Sequence, residues 1–180
     1  MNKLVALPII VAIAAIAIYY ASPLFINAVV DEPLPTGMMH QNDSMTKKDQ
    51  MTEGEVMKEK EMVESNTKII LTGNFIEAGD GIHNAEGMSK VLAVNDGKTE
   101  HRILRLENFK STNGPDLYVY LSKDARSISD GYIELARLKG NIGNQNYHIP
   151  DDVNLGEYSY ALIWCKQFSV LFGYANLATA

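Results

Sequence analysis

Apolar residues fall into two regimes along this chain. From Leu4 to Val30 they form a run of 27 residues without a charge. From Lys68 onward they come in short alternating runs broken by Gly, Asn, Asp and Pro. Alternation with a period of two is the signature of half-buried strands. It predicts strands over Lys68–Ile76, Met88–Val94, Glu100–Leu106, Asp116–Ser122, Tyr132–Leu138, Asn146–Ile149, Tyr158–Trp164 and Ser169–Tyr174. Turn signals separate them: Gly79-Asp-Gly81, Asn95-Asp-Gly97, Asn113-Gly-Pro115, Asp130-Gly131, Gly140-Asn141 and Gly143-Asn144. Asn-Asp-Gly between two strands is a strong hairpin signal. Strands at this spacing predict an all-β domain over residues 68–180, an antiparallel β-sandwich or a small barrel.

The alternation also assigns faces. Leu117, Val119 and Leu121 point one way, with Tyr118 and Tyr120 the other. Leu104 and Leu106 face in and Arg105 faces out, as expected of an antiparallel sheet with one wet face. Tyr158–Trp164 is apolar on both faces, which predicts a central strand covered on both sides. The only cysteine, Cys165, stands where that run ends, and Phe168, Val170 and Phe172 then restart the pattern.

The amino-terminal run, taken as residues 1–30, exceeds the roughly 20 residues that cross a bilayer as a helix. Lys3 precedes it and Asp31 and Glu32 follow, which orients the terminus to the cytoplasm. The expectation is a single-pass transmembrane helix acting as a signal anchor in the cell membrane. A cleaved signal peptide with small residues at Ala21 and Ser22 is the other reading. Both make the folded part extracytoplasmic.

Residues 31–67 carry nine acids and four bases and no aromatic residue, the composition of a disordered linker. Six of the eight methionines fall here, including Met38, Met39 and Met45, with His40 beside Met39. Thioether and imidazole ligands suit copper in its soft monovalent state, so the segment is a weak copper candidate. Asn42-Asp-Ser44 is a glycosylation sequon. Net charge is −6 with no basic patch, which argues against nucleic acid as a partner. One cysteine excludes an internal disulfide.

Several blocks of the folded part resemble the DM13 domain, in order. They are Thr72-Gly-Asn-Phe75 with His83-Asn-Ala-Glu-Gly87, then Leu104–Phe109 with Asn113-Gly-Pro-Asp-Leu-Tyr-Val-Tyr-Leu121. Leu135–Tyr147 follows, and Ile163-Trp-Cys-Lys-Gln-Phe168 with Phe172-Gly-Tyr-Ala-Asn-Leu177 completes the set. The resemblance covers Lys68 to about Leu177; Ala136 departs from the glycine frequent in the family. It implies a DOMON-like sandwich taking part in extracytoplasmic electron transfer with a redox partner protein. It also implies that the cysteine matching Cys165 is the redox group, as a bare thiol or as the axial ligand of a group such as haem.

The residues themselves leave alternatives open. Cys165 is a redox thiol, a ligand or a core filler. His83, in the Gly-rich loop after Gly81, is a second ligand, a base for Cys165, or a histidine bonded to its own backbone. Lys166 lowers the thiol pKa only if both point the same way, which alternation opposes. His101 and His148 are expected to be structural or solvated, Asp116 to serve the turn at Asn113-Gly-Pro115, and Trp164 to anchor a core. The leading expectation is a membrane-tethered module for electron transfer or redox sensing. The alternatives are a non-redox binding or structural domain on the cell surface and a copper-handling surface protein.

Overall fold

In the computed structural model, residues 26–35, 66–95 and 97–180 are described. They form ten strands: β1 (Val29–Asp31), β2 (Thr67–Glu77), β3 (Ala85–Asn95), β4 (Glu100–Ser111), β5 (Leu117–Ser122), β6 (Tyr132–Arg137), β7 (Ile142–Ile149), β8 (Tyr160–Cys165), β9 (Val170–Asn176) and β10 (Ala178–Thr179). The eight expected strands are all present, so the all-β expectation holds. The layering differs from it. The strands make one continuous sheet in the order β1-β7-β4-β3-β2-β9-β8-β5-β6, with β10 beside β2.

That sheet is an open, curled half-barrel, neither two separate sheets nor a closed barrel. The reason lies in β2. Its first part, Thr67–Asn74, pairs with β3, and its last part, Phe75–Glu77, pairs with β9. An 11-residue strand with a register shift at Ile69–Leu71 serves both halves and turns the corner between them. All the pairings are antiparallel except β1 with β7, which is parallel.

Three strands, β3, β4 and β7, run well beyond what alternation predicts. The β3–β4 ladder continues past a bulge, so Ala85 pairs with Ser111 although the pattern breaks at Gly87 and Asn108. The strand β7 begins at Ile142, where Gly143-Asn144 suggests a turn. Gly143 has φ +109, and a Cβ there would collide with the carbonyl of Val30. Glycine here therefore admits β1 rather than making a turn.

Curling closes the inner face on itself. The principal core holds Val91, Leu104 and Tyr147 from one half with Val119, Ile163 and Phe172 from the other. Each fully buried Leu or Phe contributes about 1.5–3 kcal/mol. The outer face has two smaller clusters. Leu92, Val94 and Ile103 are covered by Leu34. Tyr120, Leu162, Trp164 and Leu171 are flanked by Ala78 and Ile128. Being apolar on both faces, β8 lies between β9 and β5, as its pattern predicts.

The outer cover over β4 comes from the amino-terminal side. Residues 26–35, expected at the end of the anchor and in the linker, lie along the sheet edge as a strap. Arg105 holds it. Alternation puts Arg105 on the outer face, and it is there, but only 6% exposed. Its Nε donates to Glu107 (2.9 Å) and its Nη1 to the carbonyls of Glu32 and Pro33 (3.1 Å each) and to Asn146 Oδ1 (2.8 Å). A buried guanidinium is tolerated only when its donors are satisfied this way. Burial pushes the Glu107 carboxyl up, but hydrogen bonds from Lys90 and Arg105 outweigh it and leave its pKa below the usual value. Glu32 adds bonds to Lys139 Nζ and to the Asn146 amide, both 2.6 Å.

Thr67 Oγ1 donates to the Pro35 carbonyl at 3.0 Å. The described segments 26–35 and 66–95 therefore meet at one place. Among the described residues, no helix is long and apolar enough to cross a membrane. The residues expected to form that helix lie largely outside the described ones.

Replacing Arg105 by Met keeps the volume and removes four hydrogen bonds, so it should cost about 3 kcal/mol in urea unfolding of the full chain. It should also make the Glu32–Pro35 segment open to proteolysis.

Candidate functional site

Cys165 ends β8. Its cross-strand partners are Leu117 on β5 and Val170 on β9. The Lys166 amide donates to the Asp116 carbonyl at 2.9 Å, and the chain then turns back, with Ser169 at φ 54. The thiol is free, 1% exposed, and belongs to the principal core beside Leu117, Val170 and Phe172. Among the described residues no hydrogen bond reaches its sulfur.

Lys166 takes the other face. Its Nζ donates to Glu134 Oε2 at 2.8 Å and lies 4.8 Å from the Tyr118 ring centroid. As alternation predicts, its charge is spent away from the thiol.

His83 sits in a loop organised by Asp80. Asp80 Oδ1 accepts the amides of Ile82 (2.9 Å) and His83 (2.8 Å), and Oδ2 meets His83 Nδ1 at 2.5 Å. An aspartate bonding its own downstream backbone is a local turn device. The His83 side-chain bond, followed by the two amides, holds the Asp80 carboxyl far below the usual carboxylate range. The His83 ring lies on Phe172, with centroids 4.4 Å apart. A Cβ at Gly114 would stand 2.8 Å from the Phe172 ring tip and 2.7 Å from Leu117, so glycine is required for that approach. His83 is thus joined to the Cys165 cluster through Phe172 and is not bonded to the sulfur.

A cavity of about 340 Å³ opens beside this cluster. Ile26, Asn113, Gly114 and Leu117 line it, and Cys165 does not. Iron ligation by a thiolate needs one side of the sulfur open, whereas this sulfur is enclosed by core side chains. As packed, the surroundings of Cys165 do not fit haem.

On the outer face, Trp164 (7% exposed) stands across from Tyr118. Tyr118 neighbours Tyr120 (6.2 Å between centroids), and Tyr120 stacks on Tyr132 (4.8 Å), which is 41% exposed. The Tyr120 hydroxyl donates to Glu134 at 3.2 Å. Burial, then the Glu134 charge, pushes its pKa well above the usual tyrosine value. The alternation puts Tyr118 and Tyr120 on one face; their contact with Trp164 and Tyr132 across three strands needs the register.

Asp116 serves the turn, as expected, with its side chain 3.7 Å from Arg137. Met38, Met39, His40 and Met45 lie outside the described residues. His101 and His148, expected to be structural or solvated, are brought together with Asp151 by the β4–β7 ladder. They are far apart in sequence and show no ligand spacing there, so no sequence signal marked them.

Residues 77–177 match the protein-family model described as Electron transfer DM13. No curated protein and no solved structure matched the chain.

Cys165→Ser should cost about 1–3 kcal/mol, because the hydroxyl would be buried without a partner; chemical denaturation reads this. The depressed Asp80 pKa gives a pH prediction. Its contribution is present above the unfolded value near 4 and is lost as pH falls through the lower folded value. The Ile82 and His83 amide resonances should therefore hold steady through the usual carboxylate range near pH about 4 and shift only on further acidification, and Asp80→Asn should remove that shift.

Proposed function

Because the chain belongs to the DM13 electron-transfer family, we propose that it is a membrane-tethered extracytoplasmic electron-transfer module with Cys165 as its redox group. The observation that carries this reading is the place of Cys165. It lies in the inner core one residue from Trp164, which belongs to the outer aromatic layer. The two sides of the sheet then divide the work. Electrons leave through Trp164, Tyr118 and Tyr120 to exposed Tyr132, where a redox partner protein docks. One-electron oxidation of the thiol also releases a proton, and the closed core offers no acceptor at the sulfur. Opening of the Asp80–Asn84 loop with Phe172 lets His83 or water take it. The partner protein receives the electron, so the step balances without a bound group.

The strap refines the tether. With Ile26–Pro35 on the domain, Leu4–Phe25 remains for the anchor, 22 residues or about 33 Å of helix. That matches a hydrocarbon core of about 30 Å. The domain then sits directly at the membrane surface.

Voltammetry of the full chain in detergent tests the mechanism. The wild type should give a one-electron wave that Cys165→Ala abolishes and Trp164→Phe slows. A wave that survives Cys165→Ala removes the cysteine from the mechanism. No wave in any variant makes the chain a non-redox binding domain with Cys165 as core filler.

A further inference from the structure

We propose that His101, His148 and Asp151 form a surface binding site for a divalent transition-metal ion. The site is separate from Cys165 and does not depend on the electron-transfer reading. Each residue offers one ligand atom, and all three atoms lie within 4.8 Å of one another. In a tetrahedral site with metal–ligand bonds near 2.0–2.1 Å, ligand atoms stand about 3.3 Å apart. Rotation of exposed side chains covers the difference. His148 and Asp151 are exposed and His101 is half-buried, so the group is reachable. Open coordination positions would face water.

The backbone makes the arrangement rigid. Ile103 pairs with His148 and Arg102 with Ile149, which puts His101 and His148 on one face as diagonal neighbours. Their ring centroids are 6.2 Å apart. Asp151 lies in the turn that follows β7. Arg102, adjacent to His101, clamps that turn by donating to the carbonyls of Val153 (2.8 Å) and Pro150 (2.6 Å). The third ligand is thus tied to the strand that carries the first. Thr99 Oγ1, 3.0 Å from His101 Nε2, holds the ring from the side, as outer hydrogen bonds do around metal-bound imidazoles.

Two imidazoles and one carboxylate are borderline-hard donors. They suit Zn(II) and Cu(II), with Cu(II) bound more tightly in the usual order of divalent ions. This differs in kind from the thioether set at Met38, Met39 and Met45, which prefers monovalent copper.

Titration of the full chain in detergent with Cu(II), without reductant, read by electron paramagnetic resonance, tests the site. One equivalent should bind with a spectrum showing imidazole nitrogen. His148→Ala and Asp151→Asn should each weaken it at least tenfold, while His40→Ala and His83→Ala leave it unchanged. Zn(II) should compete for the same equivalent and raise the melting temperature, and His148→Ala should abolish that rise. His148 and Asp151 are exposed, so their replacement leaves the fold intact. Equal affinity in His148→Ala and wild type, or loss of the signal in His40→Ala, overturns the proposal.

Discussion

A sheet this long, with apolar side chains on both faces, has to hide both, and that constraint shapes the molecule. Curling hides the inner face: β2 hydrogen-bonds to β3 with one part and to β9 with another, so the two halves face each other across one core. The outer face cannot hide itself. It is covered in patches, by Leu34 over Ile103 on one half and by Ala78 and Ile128 around Trp164 on the other. What each patch leaves open is where chemistry can reach the surface: Tyr132 at one end and His148 with Asp151 at the other.

Arg105 shows how a cover is held without a large apolar area. The strap brings few apolar side chains, so its attachment relies on hydrogen bonds to a charge that is out of water. A guanidinium suits this better than an ammonium, because its fork reaches Glu107, Asn146 and two backbone carbonyls together. The arrangement couples the segment that follows the amino-terminal apolar run to the centre of β4.

The thiol and the histidine cluster represent opposite solutions. Cys165 is sealed in close packing, so its reactivity depends on movement of its neighbours, with His83 and Phe172 as the nearest movable pair. His101, His148 and Asp151 sit at the surface, positioned by a ladder and a clamped turn, and need no opening. The two are separable because they lie on opposite faces of different strands.

The sequence by itself determined the strands, their inward faces, the two-sided burial of β8 and the order of family blocks. The strands and their faces follow from local alternation and turn chemistry, and the block order from the family resemblance. It also placed Arg105 and Lys166 on their faces correctly. It could not say that Arg105 is buried, that Gly143 admits a parallel neighbour, or that one strand serves both halves. Each of those depends on a segment distant in the chain arriving at that face. The same holds for the histidine pair, which spacing left apart and the β4–β7 register joined. Periodicity reports which side of a strand a residue occupies. Only tertiary packing decides what, if anything, stands on that side.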